Sequence, residues 1–228
     1  LFGRKIDTVM RKAVLVVAGN EYLASRARQA GAKEVATLPS VVDASRYEVI
    51  EAQGKQRLTI GWIGSPTTAL FLHACRKALG HAVTHYDARL VLIGSGSIQV
   101  GKLPLEIQPW SEDTETTAIK AFDIGIMPMP DNPWTRGKCG YKLIQYMASG
   151  IPVIASPVGV NSDIVEHGHN GFLATEPEEW IEALSRLISD ADLRARMGAA
   201  GRAKVDTEYS LQIMAPKLLA ILEQAVRH

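Results

Sequence analysis

Short apolar runs alternate with amphipathic helical windows along almost the whole chain, and this alternation commits it to a parallel sheet wrapped by helices. The fold class is α/β. Strands are expected at Val14–Ala18, Val35–Leu38, Leu58–Ile63, Leu90–Ile93, Leu105–Gln108, Ile124–Met127, Val153–Ala155 and Phe172–Ala174. Between them the period predicts helices at Glu21–Ala30, Thr68–Leu79, Asp113–Ala121 and Tyr141–Ser149. From Glu178 three helices follow without a strand, at Glu178–Ser189, Ala191–Thr207 and Leu211–Val226, which predicts a helical tail. The polar stretch 43–57 lacks a strong period and reads as a linker between a short strand-helix-strand piece and the main body.

A chain of 228 residues, 46% hydrophobic and 21% charged, buries a sizeable core in one or two domains. Its net charge of +1 argues against bulk nucleic-acid binding, so any local cluster of cations needs its own reason. Cys75 and Cys139 stand far apart in no metal or redox spacing, which suits reduced thiols in a cytoplasmic protein. No apolar run approaches the roughly 18 residues of a membrane span, and no signal peptide opens the chain. The sequence starts at Leu1 rather than at a methionine, so a fragment is expected.

Such a cluster of cations exists. Between Asn132 and Ser162 there is no aspartate or glutamate, yet Arg136, Lys138 and Lys142 fall within seven residues. They surround the start of the helix expected at Tyr141–Ser149, whose apolar stripe is Leu143, Ile144 and Met147 and whose opposite face carries Lys142, Gln145 and Ser149; Gly150 ends it. A helix N-terminus already carries about half a positive charge, so cations there cost about 0.3–1 kcal/mol each unless an anion sits among them. Amides freed by Gly140, with the three side chains, fit a bound anion; a solvated basic turn is the plainer alternative.

Ligands of open α/β sheets bind beyond the carboxyl ends of the strands. Three loops are candidates there. Gly64-Ser65-Pro66-Thr67-Thr68 lets backbone approach a phosphate, although Thr67 or Thr68 as a helix cap explains it equally well. Gly94-Ser95-Gly96-Ser97 is followed by Gln99 where a dinucleotide fingerprint wants glycine, and is rejected as an NAD site. The long loop MPDNPWTRGKCG leads into the basic helix start.

From Val14 onward the chain resembles the end of the first domain and the whole second domain of a family 4 glycosyltransferase of the two-Rossmann GT-B fold. The matching stretches occur in order: AGNEYLASRARQAGAKEVATLPSVVD, TIGWIGSPTT, LVLIGSG, FDIGIMPMPDNPWTRGKCGYKLIQYMASGIPVIASPVGVN, HGHNGFLA and LRARMGAAGRAKVDTEYS. The resemblance implies a remnant of an acceptor-side domain at 1–43, a linker at 44–57 and a Rossmann-like nucleotide-sugar domain with C-terminal helices at 58–228. It also implies sugar transfer from a UDP-, GDP- or ADP-linked donor to a carbohydrate or lipid-linked acceptor held by a missing N-terminal region, with retained configuration and no metal or other cofactor. The isolated fragment is then expected to be inactive, to expose an apolar face on the helix from Leu211 that favours a homodimer, and in full length to sit in the cytoplasm or at a membrane surface.

Carried over position by position, the family's two glutamates, eight apart, fall at Gly137 and Gln145 when aligned on YMASG. Gln145 then takes the ribose, and the Gly140 neighbourhood offers amides to the diphosphate. The family's arginine and lysine after the first strand of this domain are missing beside Trp62 and the Gly64–Thr68 loop, and Arg136, Lys138 and Lys142 are the replacements. The expected diphosphate set is Gly64, Ser65, Thr67, Arg136, Lys138, Cys139, Gly140 and Lys142, with main-chain base contacts at Ile107, Gln108 and Pro109. No catalytic residue is assigned. Asp131 stands alone, without a DxD-like partner for a metal.

Other residues have plainer readings. His81 and His85 are four apart, but the strand near Arg89 leaves little helix to join them. His167-Gly168-His169-Asn170-Gly171 reads as a turn with positive φ at Asn-Gly, and Trp62, Trp110, Trp134 and Trp180 as packing residues, of which Trp110 and Trp134 lie on ligand-side loops. A nucleotide-sugar epimerase and a non-catalytic nucleotide-sugar binding protein remain alternatives.

Overall fold

The computed structural model describes residues 2–49 and 57–227, so 50–56 of the expected linker lie outside the described residues. Chain order gives α1 (Phe2–Lys12), β1 (Val16–Ala18), α2 (Glu21–Gln29) and β2 (Val35–Thr37), with β1 and β2 paired in parallel, Val16 opposite Val35. The larger part contains β3 (Thr59–Ile63), α3 (Pro66–Ala69), α4 (Arg76–Tyr86), β4 (Arg89–Ile93), β5 (Leu105–Gln108), α5 (Glu115–Lys120), β6 (Ile124–Met127), α6 (Pro133–Arg136), α7 (Tyr141–Ala148), β7 (Val153–Ala155), α8 (Asn161–Ile164) and β8 (Gly171–Leu173). Three helices close it: α9 (Pro177–Ser189), α10 (Ala191–Lys204) and α11 (Leu211–Val226).

The six strands β3 to β8 form one parallel sheet in the order β5-β4-β3-β6-β7-β8. Every residue of β3, β6 and β7 is buried, as a sheet covered on both faces requires. Alternate side chains divide between two cores. Ile60, Trp62, Leu90, Leu92, Ile124 and Ile126 pack on one side, with Leu72, Leu79 and Trp180 of the covering helices. Ile63, Val91, Ile93, Met127 and Val153 pack on the other, with Leu143, Tyr146 and Met147 of α7. At about 1.5–3 kcal/mol for each fully buried large apolar side chain, these two layers are the main stabilising term.

Each expected strand forms, within two residues of its expected ends. The helices differ more. The single helix expected at Thr68–Leu79 is three pieces, α3, a 3₁₀ segment at Leu70–Cys75 and α4, which runs on to Tyr86. His81 and His85 therefore do share a helix, and their rings stack with centroids 4.1 Å apart. Neither Thr67 nor Thr68 caps α3; the cap position is Ser65, and Pro66 fills the first helical position. The tail helix expected to reach Thr207 ends at Lys204 in a π turn, Val205–Tyr209. Positive φ in the 167–171 turn falls on Gly168, while Asn170 is buried, accepting from Glu166 N at 2.9 Å and donating to Ile164 O at 3.0 Å.

The short first piece is tied to the tail. Val42 N donates to Tyr209 O at 3.1 Å and Leu211 N to Val42 O at 2.8 Å. Arg202 Nη1 then reaches both Tyr47 O, at 2.8 Å, and Ala148 O at the end of α7, at 2.6 Å. A cation placed on the last carbonyls of a helix also complements its dipole.

Candidate functional site

Strand order reverses between β3 and β6, and the crevice beyond their carboxyl ends is where an open α/β sheet takes its ligand. A cavity of about 610 Å³ opens there, bounded by Ile63 and Gly64 at the end of β3, Met127 and Met129 at the end of β6, and the start of α7. Tyr146 of α7 locks this corner: its hydroxyl accepts from Ile63 N at 2.9 Å.

Gly140 caps α7 in the left-handed region, φ 65°, and a Cβ there would lie 2.2 Å from Ile164 Cδ1. Both the dihedral and the contact require glycine. Leu143 and Ile144 donate to Gly140 O, whereas the amides of Gly140, Tyr141 and Lys142 find no backbone carbonyl among the described residues. Three donors without a described partner thus stand at a helix N-terminus that lines the cavity, the arrangement that favours an anion.

Lys142 reaches from α7 across the end of β3. Its Nζ lies 4.3 Å from the centroid of the Trp62 ring, and a Cβ on Gly64 would sit 2.8 Å from it. Gly64 therefore leaves room for the ammonium group. Burial, with the charge of Lys138 second, pulls Lys142 down to about 7. Lys138 Nζ lies 4.0 Å from the Trp134 ring centroid, and burial lowers its pKa as well. Two cations crowd one cavity wall, each partnered by an aromatic face rather than by a carboxylate.

The other expected residues divide. Gly64, Ser65, Lys138, Cys139, Gly140, Lys142 and Gln145 line the cavity. Thr67 is exposed and outside the lining, where Thr68 stands instead. Arg136 is also outside: its Nε and Nη2 hold both oxygens of Asp131 at 2.5 and 2.8 Å, so the arginine is not free to meet an anion as the sequence suggested. The two are five residues apart across α6, a short helix that periodicity did not reveal. Ile107, Gln108 and Pro109 do not line the cavity; Gln108 O already accepts from Gly94 N at 2.9 Å in the strand ladder. Gly137 caps the end of α6 away from the lining.

Helix α7 is buried nearly all round, so its polar stripe faces partners and not water. Gln145 donates to Tyr47 Oη at 3.2 Å, and Ser149 Oγ to Gln145 O at 3.4 Å. Sequence reading missed two residues. Glu115, buried in the first turn of α5, lines the cavity and accepts from Trp110 Nε1 at 2.9 Å. Asn20 caps α2 and donates to Lys138 O at 3.0 Å, fixing the basic loop from the first piece of the chain. A sharp N-cap signal before Glu21 was visible, but its far-side partner 118 residues away was not.

Residues 57–190, more than half of the chain, match the family described as "Glycosyl transferases group 1". The chain belongs to that family. A mannosyltransferase of Corynebacterium glutamicum, described as GDP-mannose-dependent and acting on a monoacylated phosphatidylinositol monomannoside, is 31% identical over 160 residues, 62% of this chain and 40% of that protein. Spore coat protein SA of Bacillus subtilis is 31% identical over 81 residues, 34% of this chain and 22% of that protein. The chain thus spans well under half of these curated relatives. Among solved structures, Anabaena Alr3699/HepE in complex with UDP-glucose superposes with a TM-score of 0.79 at 17% identity, over 97% of this chain and 67% of that one. Sucrose-phosphate synthase of Thermosynechococcus elongatus gives 0.75 at 16%, over 97% and 60%. These likenesses agree with the Rossmann-like α/β class of the GT-B fold.

Proposed function

We propose that this chain is the nucleotide-sugar half of a glycosyltransferase, and that the cavity beyond β3 and β6 holds the donor's diphosphate. The observation that carries the reading is the convergence of Lys138, Lys142 and three amides without a partner among the described residues, at the start of α7 on one wall of that cavity. When the glycosidic bond breaks, negative charge grows on the leaving nucleoside diphosphate. Fixed cations and aligned amides stabilise that charge more in the transition state than in the bound donor, which lowers the barrier. On this reading Lys138 and Lys142 supply the compensating charge without a divalent cation, and chelation with EDTA leaves donor affinity unchanged. Retention of anomeric configuration is the outcome the family resemblance implies. Family membership and the relatives' transferase descriptions favour transfer over epimerisation or binding alone.

The division into an acceptor-side remnant at 1–43, a connector and a donor domain from 58 remains part of this proposal, as does an acceptor held by a further region. The chain by itself then binds donor without efficient transfer. The expected apolar face is present on α11, where Leu211, Leu219 and Leu222 are exposed and line a groove with Leu38 and Val41. That groove supports self-association; sedimentation showing only monomer at high concentration removes this part.

Titration calorimetry with UDP, GDP and ADP tests the central reading. Lys138→Ala and Lys142→Ala each weaken binding by about tenfold or more, the scale of a charge-assisted phosphate contact. Unchanged affinity in both variants removes the lysines from the site.

A further inference from the structure

The cavity has a second polar wall that the diphosphate reading does not use. Glu115 is 7% exposed, yet it lines the same cavity as Lys142 and Gln145. Its Oε2 accepts from the indole N–H of Trp110 at 2.9 Å. No described residue donates to Oε1, and no lysine or arginine among them pairs with the carboxylate. A carboxylate offers about four acceptor sites, so a single neutral donor leaves most of its capacity unused at the cavity wall.

Its neighbours fix what kind of ligand group faces it. Trp110 lines the cavity with an indole about half exposed, a flat surface suited to a base. Tyr141, the residue after Gly140, lines the same cavity, and the charge of Glu115 helps to raise the pKa of both Tyr141 and Tyr47. Glu115 thus lies between an aromatic surface and the first turn of α7. A phosphate is repelled there, whereas hydroxyl donors are attracted. A nucleoside diphosphate has its donors in that order: base, then a ribose carrying two adjacent O–H groups, then the charged diphosphate. Gln145, which gives one of its two amide N–H groups to Tyr47 Oη, has only a neutral carbonyl as an acceptor for the same sugar.

Resting on the donor reading above, we propose that Glu115, held in place by Trp110, is the carboxylate that accepts the ribose 2′- and 3′-hydroxyls of the bound nucleotide. It stands on α5 and so replaces, from another element, the charge that a glutamine at position 145 lacks. Two hydroxyl-to-carboxylate bonds give the site its preference for ribose over deoxygenated sugars.

The test is calorimetric titration of UDP, GDP and ADP, each beside its 2′,3′-dideoxy counterpart. Wild-type protein prefers the ribonucleotide by about tenfold or more, the scale of hydrogen bonds to a charged acceptor. Glu115→Gln brings the two affinities to within about threefold, because the acceptor loses its charge. A preference that stays at the wild-type value in Glu115→Gln overturns the assignment while leaving the diphosphate site standing. Absence of binding by all three nucleotides removes the donor reading, and this assignment with it. Should Glu115→Gln fail to fold, Glu115→Asp reads the same preference: retracting the carboxylate by one methylene lowers it, and an unchanged value overturns the proposal.

Discussion

Lys142 is placed by a helix start, held over an indole and left without a carboxylate, so its proton is cheap to lose and valuable to keep. Its pKa is pulled down to about 7 chiefly by burial, against about 10.4 for an unfolded lysine. Between those values the unfolded chain binds more protons than the native one. This group therefore destabilises the fold fully below about pH 7, and stability rises as pH climbs from about 7 towards 10. A bound diphosphate reverses the preference and takes up a proton. Affinity for a UDP-sugar, whose diphosphate diester does not titrate in this range, accordingly falls by up to roughly tenfold per pH unit above pH 7. Lys142→Ala flattens that profile; an equally steep fall in the variant rejects the link to Lys142. Arg136→Ala has no such effect. Its guanidinium is committed to Asp131 at the surface, and affinity shifts by less than about threefold for an exposed, screened pair. The sequence exposed Lys138, Cys139, Gly140, Lys142 and Gln145 as a group because one helix start carries them all. It hid Glu115 and Asn20, because sheet topology brings Glu115 to the cavity and docking of the first piece brings Asn20 to the Lys138 carbonyl, both from distant positions.

Helix α7 is the element that turns sheet geometry into a site. Its first turn faces the cavity, its middle fills one core, and Tyr146 pins it to the end of β3 through the Ile63 amide. Tyr146→Phe leaves that buried N–H without its acceptor, at a cost of about 1–3 kcal/mol. Urea unfolding checks this, and stability within a few tenths of wild type contradicts it. Strands were legible because a sheet buried on both faces writes continuous apolar runs into the sequence. Short helices were not. α3, α6 and α8 have four residues each, too few to show a period, and α6 is built by local capping: Asn132 accepts from Trp134 N and Thr135 N, and Thr135 Oγ1 accepts from Asn132 N.

On the scale of the whole molecule, two pieces of chain are joined at a seam of backbone bonds around Val42, with Arg202 across it. Arg202 donates to Tyr47 O, Ala148 O and Ala44 O and pairs with Asp206, so one side chain ties the tail, the end of α7 and the chain leaving the first piece. Arg202→Ala leaves several of these acceptors unmet and lowers unfolding stability by about 1–3 kcal/mol. Donor affinity at saturation of folded protein stays near wild type, because Arg202 does not line the cavity. A loss of affinity without loss of stability contradicts this division of labour. No linear motif encodes such a seam, since its partners are more than fifty residues apart.

The claim beneath all three scales is that a pyrophosphate group lies against α7. Crystals of the chain soaked with a nucleotide sugar test it most directly. The account predicts phosphate oxygens within about 3 Å of the Gly140 and Tyr141 amides and of Lys142 Nζ. An ordered nucleotide bound elsewhere, with those amides and Lys142 facing only water, contradicts it.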